Sequence, residues 1–352
     1  MTERAPGPPH PYRGRPARTR WRSVAEAGHP LGISDWYRKK FEIADRRIGT
    51  AGSCFAQHIG RELRANGFDF VDVEPPPGML DRRLQAGFGY GIYSARYGNV
   101  YTTRQLLQLL QMALGEFSPR ERAWQHGGGV VDPFRPTIEP GPLRDPDEVD
   151  AMRRDHLARV GKLFESIDVF VFTLGLTEAW VDARDGAVYP VAPGVAGGAY
   201  DPDIHKFVNF AHHEVRSDLE AFVRRVRSIN PGMRFLLTVS PVPLMATGTD
   251  QHIIPATMYS KSVLRSVAGV ISDRYRYVDY FPSYEIISSH VMRGMFYNAD
   301  MRTVHGAGVS HVMREFFSQH PSPGGTATAI QADDSPEDDL VCDEERLDSP
   351  GD

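Results

Sequence analysis

Cysteine is almost missing from this chain: Cys54 and Cys342 are the only two in 352 residues. Two thiols so far apart supply neither a disulfide framework nor a thiolate metal site. Long apolar runs are missing as well, none reaching the roughly 18 residues that cross a bilayer. The opening stretch MTERAPGPPHPYRGRPARTRWR is rich in Arg and Pro and lacks the apolar segment of a secretory signal. These absences set the expectation of a cytoplasmic protein with no membrane span. The thirteen His residues contain no H-E-x-x-H string or similar ligand spacing, and His212-His213 reads as a solvated pair on a helix. Neither a metal nor an organic cofactor is expected, nor a nucleic-acid partner.

Charge is present but uneven. Residues 321–352 hold ten Asp/Glu against one Arg while the whole chain carries −5, so the remainder is net positive. With its Pro, Gly and Ser and few large apolar residues, this acidic tail (320–352) is expected to be disordered. The basic Pro/Arg-rich segment 1–40 is expected to be largely unstructured too. Between them, residues 41–319 alternate strand-like and helix-like patterns with no repeat and no internal linker. That pattern predicts a single doubly wound α/β domain with a mostly parallel sheet.

The spacing predicts strands over 43–50, 169–174, 235–239 and 275–280, and helices over 54–66, 104–117, 147–165, 215–228, 258–274 and 308–319. VFVFTL and FLLTV are continuous apolar runs, as strands buried on both faces should be. Thr102 or Thr103 caps the second helix, with Gln105 near its third position. Residues 124–146, rich in Gly and Pro, read as an irregular excursion.

Ligands of open α/β sheets gather beyond the carboxyl ends of the strands. There the first strand ends in Gly52-Ser53 and runs at once into a helix on which Phe55, Ile59 and Leu63 recur. A hydroxyl at that point lies beside free N–H groups and the positive end of the helix dipole, which can stabilise an oxyanion. Gly49 and Gly52 permit a tight approach. Taken alone, the segment also accommodates Ser53 as a helix cap and nothing more. On the same rim lie Gly175-Leu176-Thr177-Glu178 and Ser240-Pro241, and residues 298–305 add a late Asp and His. A serine, an Asp and a His on one rim are the parts of a nucleophile, orienter and base.

The string Gly52-Ser53-Cys54-Phe55-Ala56 resembles the name motif of the GSCFA family, which is placed among the SGNH (GDSL-type) hydrolases. YGNVYTTRQLLQLL, GLTEAW, HKFVN, SPVPLMAT and YSKSVLR look like that family too, so the resemblance spans about residues 45–318. It implies a serine esterase or O-acyltransferase, with an O-acetylated carbohydrate as substrate. Position by position, it implies Ser53 as nucleophile and, through its N–H, as one oxyanion donor. Gly98 is the second donor, with Gly91 as alternative, and Thr177 stands where an Asn side chain would donate.

The late block departs from the pattern. SGNH enzymes place Asp and His three apart, but three residues after Asp300 stands Thr303. His305 is therefore taken as the base and Asp300 as its orienter. His311, which falls off the Val309, Val312, Phe316 stripe, is the alternative, and a surface role remains open for either histidine. Glu178, Asn99, His205 and Asn209 are candidate substrate contacts. His205 and Asn209 share a face if their segment is helical, and either a substitute base or a structural hydrogen bond fits them. Cys54 either packs behind the serine or acts as a thiolate nucleophile. Tyr90, Tyr93, Tyr97, Trp180 and Tyr189 suit either a sugar ring or the core. The competing reading is a non-catalytic binding or scaffold protein that kept the fold and lost its base.

Overall fold

The computed structural model describes residues 10–323 and 346–347, so the expectations for the acidic tail and the first nine residues fall largely outside the described residues. In chain order the strands are β1 (Ile48–Gly52), β2 (Trp124–His126), β3 (Gly129–Val131), β4 (Val169–Leu174), β5 (Glu178–Asp182), β6 (Val188–Tyr189), β7 (His205–Asn209), β8 (Arg234–Val239) and β9 (Val278–Tyr280). The helices are α1 (Trp21–Glu26), α2 (Phe55–Ala65), α3 (Arg82–Gln85), α4 (Thr103–Ala113), α5 (Pro146–Ser166), α6 (His212–Ile229), α7 (Ile253–Arg274), α8 (Ser283–Ser288) and α9 (Gly306–Gln319).

An all-parallel sheet, ordered β1-β4-β8-β9, forms the centre. Phe70 bridges to Ile48 in parallel outside β1, which puts a reversal of strand order at β1. Successive residues of β4 point to opposite faces. Phe170, Phe172 and Leu174 enter a core built with Leu106, Leu163, Phe222 and Leu264 from α4 to α7. Val169 and Val171 enter a second core with Phe55, Ile59, Val309 and Val312 from α2 and α9. Helices thus cover both faces, and the strand ends on one edge stay free to carry a site.

The fold departs from the sequence reading in three places. The first strand begins at Ile48 rather than 43, although Ile43 is fully buried. Residues 124–146 are not irregular: β2 and β3 form an antiparallel hairpin, continued by a bridge from Val130 to Leu143. Between β4 and α6 stands an antiparallel sheet ordered β6-β5-β7, which the apolar pattern did not announce.

The N-terminal segment is also more than an unstructured lead. Residues 17–19 and 21–26 are helical, and Tyr37 is buried. The Tyr37 hydroxyl donates to Asp279 at 2.6 Å and lies 3.1 Å from His320 Nε2. The same Asp279 oxygen accepts from the Lys40 amide at 2.8 Å. The packed unit therefore reaches past both limits of 41–319. Among the described residues, no helix is long and apolar enough to cross a membrane.

Candidate active site

Gly52 ends β1 at φ +148°, and its Cα lies so close to β4 that a Cβ there would stand 2.6 Å from the Thr173 carbonyl oxygen. This close approach delivers Ser53 to the rim of the sheet. The helix begins with Cys54 as its cap residue, and that cap makes no side-chain hydrogen bond. Ser53 is 3% exposed, and its Oγ has no hydrogen-bond partner among the described residues. The helix-cap reading of Ser53 therefore does not hold: the hydroxyl caps nothing. Its backbone N–H donates to the Thr173 carbonyl at a long 3.3 Å, and its carbonyl accepts from the Tyr93 hydroxyl at 3.2 Å.

Around Ser53 the walls are backbone and amide. The Tyr93 hydroxyl also reaches Asn99 Oδ1 at 2.5 Å, and Gln57 Nε2 donates to the same oxygen at 3.4 Å. The Asn99 carbonyl in turn accepts from Gln105 Nε2 at 2.8 Å, and the Val100 amide donates to the Gly52 carbonyl at 2.9 Å. Gly98, at φ +68°, forms the left-handed turn that lets residues 97–101 pass over the end of β1. Gly91 is exposed, and its carbonyl accepts from Arg64. Opposite, a Cβ on Gly175 would stand 3.0 Å from Ser53 Cβ, so the glycine is what lets the two strand ends meet.

Helix α7 fixes this second wall. Lys261, 1% exposed, donates from Nζ to the Gly175 carbonyl at 2.8 Å, and Ser260 Oγ accepts from the Thr177 amide at 3.0 Å. Lys261→Ala would leave that carbonyl short of a donor beside a new cavity, a loss of roughly 2–4 kcal/mol. Lys261→Met, which keeps the volume, should cost less. Urea denaturation of both variants checks this, and a loss below about 1 kcal/mol for Lys261→Ala would show that α7 does not hold the wall.

Several residues singled out from sequence are committed elsewhere. The Thr177 hydroxyl donates to Asn209 Oδ1 at 2.7 Å, so the donor assigned to an oxyanion is already used within the fold. Glu178 accepts from the Thr247 hydroxyl at 2.7 Å and the Gly248 amide at 3.1 Å, pinning the loop after β8 to β5. His205 and Asn209 lie on a strand, not a helix, and sit at opposite ends of β7. His205 is buried, accepts from the Asp201 amide at 3.0 Å, and places Nε2 3.4 Å from Glu121. Tyr93 and Tyr97 are buried in the first core and Tyr189 in a small cluster with Trp124 and Val131, so these three rings belong to packing rather than to a sugar platform.

The late block shows the largest departure. The Asp300 carboxylate accepts from the Arg302 and Thr303 amides and from the Thr303 hydroxyl, at 2.9, 3.0 and 2.8 Å. Partial burial works against ionisation there, but these donors hold the carboxyl below its usual range. His305 is the cap of α9: Nδ1 accepts from the Gly308 amide at 3.3 Å, and Nε2 lies 2.7 Å from the Met295 carbonyl. Asp300 and His305 are thus not joined, because each is satisfied by its own turn. His311 is not a surface residue either; it is 2% exposed and stacks on Phe296 with centroids 5.1 Å apart. Burial, then the charge of Arg314, lowers its pKa.

Sequence reasoning placed Tyr93 in the site region for its ring, not as a hydroxyl donor to the Ser53 carbonyl, and missed Gln57 beside Asn99 and Ser260-Lys261 as supports. Gln57 stands four residues after Ser53, a helix-face spacing that was legible. Among the described residues no group of three His, Cys, Asp or Glu is placed to hold a metal ion.

A parallel α/β sheet with helices on both faces, and a serine set free at a strand-to-helix junction on its rim, defines the class. The chain belongs to the GSCFA family, whose model matches residues 47–316. No curated protein and no solved structure matches the chain.

Proposed function

We propose that the protein is an SGNH-type serine esterase or O-acyltransferase that works through a Ser53 acyl-enzyme, with an O-acetylated carbohydrate as its substrate. The observation that carries this reading is Ser53 Oγ, a buried hydroxyl at a helix start that neither caps the helix nor finds any other partner among the described residues. A desolvated hydroxyl left unpaired costs stability, about 1–3 kcal/mol, and sites of chemistry are where such costs are kept.

In the reaction, Ser53 Oγ attacks the acyl carbon while His305 takes its proton, and the alkoxide of the sugar leaves with that proton. Water or an acceptor hydroxyl then attacks the ester and frees the serine. The Gly98 amide and, once it releases the Thr173 carbonyl, the Ser53 amide serve as oxyanion donors, and the Asn99 side chain and the rim around Glu178 and Asn209 border the substrate. For His305 to act, its Nε2 must leave the Met295 carbonyl, and Asp300 must turn from its own amides to orient the imidazole. The committed state of these two residues favours the second reading, a non-catalytic SGNH-fold binding protein.

A fluorophosphonate probe separates the two readings. An enzyme labels in wild type, fails to label in Ser53→Ala, and labels far more slowly in His305→Ala. Because the Ser53 hydroxyl is buried without a partner, Ser53→Ala should be as stable as wild type or more so by up to about 1 kcal/mol, so the lost labelling will not reflect unfolding. Folded wild-type protein that does not label would establish the binding reading instead.

A further inference from the structure

The wall of the serine site formed by residues 175–177 has committed its own donors. The Gly175 and Leu176 amides both donate to the Tyr101 carbonyl, at 3.0 and 3.1 Å. The Thr177 amide donates to Ser260 Oγ at 3.0 Å, and the Thr177 hydroxyl donates to Asn209 Oδ1 at 2.7 Å. What this wall does bring to Ser53 is a carbonyl. Gly175 lies against the serine, and its carbonyl oxygen is a partial negative charge near the place where negative charge develops as Oγ attacks an acyl carbon. Left bare, that oxygen would oppose the reaction.

Lys261 covers it. The lysine is 1% exposed, and its Nζ donates to that same oxygen at 2.8 Å. Gly175 therefore touches both groups: a Cβ on it would stand 3.0 Å from Ser53 Cβ, and its carbonyl holds Nζ, so ordinary bond lengths keep Nζ within about 10 Å of Ser53 Cβ. A neutral donor would satisfy the carbonyl as well, whereas an ammonium is costly to bury. What the lysine adds is charge. At that range, in a buried place that salt screens little, one unit of charge alters a barrier by a factor of about ten or more. We propose that Lys261 supplies the positive charge of the oxyanion site, stabilising the negative charge that forms when Ser53 attacks, without itself touching the substrate. This rests on the Ser53 acyl-enzyme reading, and it fills the place that Thr177 leaves by donating to Asn209. Lys261 takes no proton in the step: as the bond from Oγ to the acyl carbon forms, the Ser53 proton goes to His305, and Nζ keeps its own.

Second-order rates of fluorophosphonate labelling test this on the full chain, with circular dichroism reporting the fold of each variant. Lys261→Gln keeps a donor for the Gly175 carbonyl and removes the charge; Lys261→Arg keeps both. The Gln variant should label at least about tenfold more slowly than wild type, and the Arg variant at least about threefold faster than the Gln variant. If Lys261→Gln does not fold, Lys261→Met, of similar volume, replaces it. Ser260→Ala loosens the same wall at Thr177 without touching the charge, so it should lose less than Lys261→Gln, and this comparison carries the test if Lys261→Arg does not fold. Three results would overturn the proposal: Lys261→Gln labelling within about twofold of wild type, folded Lys261→Arg labelling no faster than Lys261→Gln, or Ser260→Ala losing as much as Lys261→Gln. Wild type that does not label removes the acyl-enzyme reading and this proposal with it. Labelled wild type beside an unimpaired Lys261→Gln removes this proposal alone.

Discussion

Asp132→Asn should lower the free energy of unfolding at pH 7 by roughly 3–5 kcal/mol, the range for breaking a buried ion pair from one side. Asp132 is 4% exposed, and its two guanidinium partners, Arg135 and Arg153, are 6% and 8% exposed. One carboxylate oxygen accepts from Arg153 Nη2 at 2.6 Å and from the Phe134 amide at 3.0 Å; the other accepts from Arg135 Nε at 3.2 Å. Asn keeps the shape and removes the charge, so Arg135 loses its ion-pair partner and Arg153 keeps only Asp150, 3.8 Å away. Burial alone would raise the Asp132 pKa, but Arg153 and Arg135 overcome it and bring it down to about 2.

A carboxyl depressed in the folded state contributes stability that is complete above its unfolded pKa of about 3.9 and disappears as pH falls through the folded value. The linked contribution is on the order of 2–3 kcal/mol. The gap between wild type and Asp132→Asn should accordingly be widest above pH 5 and narrow between pH 4 and 2. Urea titrations at pH 7 and pH 3 measure it. A gap that is under about 1 kcal/mol at pH 7, or that does not change with pH, would remove Asp132 from its place as the shared counter-ion.

Gly52→Ala should be at least as damaging, by about 3 kcal/mol or more, and should take Ser53 labelling with it. The added methyl would meet Thr173 backbone oxygen, side-chain carbon and backbone nitrogen at 2.6, 2.7 and 2.8 Å, at a φ of +148°. Backbone cannot yield as a flexible side chain can, so either β1 separates from β4 or the turn into α2 is rebuilt. Gly98→Ala is the control. Its φ of +68° carries a left-handed penalty of about 1–2 kcal/mol, but nothing lies within 4 Å of the new methyl. Thermal unfolding of both variants should separate close packing from backbone conformation; equal losses of stability would mean that packing against Thr173 is not what fixes the serine.

The parallel strands were legible because burial on both faces writes itself as an unbroken apolar run, as in VFVFTL and FLLTV. The small sheet was not. β5 and β7 are short and mix Glu178, Trp180, His205 and Asn209 among their residues, so neither period stands out. Ser53 and its glycine were legible as a strand-to-helix junction, because strand-like residues give way there to helical spacing; the contact with Thr173 that fixes the junction was not. The separation of Asp300 from His305, which the sequence reading had paired, was not, since spacing along the chain does not reveal which nearby amides capture a side chain first. Here Met301 adopts φ +56°, and the tight turn it makes brings the Arg302 and Thr303 amides onto Asp300. Glu74 and His156, 82 residues apart, offered no local signal at all.

The buried carboxylate of Asp279 links Tyr37, 242 positions earlier, to the last strand of the central sheet, and Tyr37 in turn touches His320. During synthesis the early segment must therefore wait for almost the whole domain to emerge before its buried hydroxyl can be satisfied. Such distant closures are slow, since the chain entropy is lost before the contact is gained. A ribosome that stalls before residue 279 leaves Tyr37, Phe41 and Ile43 as an uncovered apolar strip, a natural mark for chaperone capture of unfinished chains.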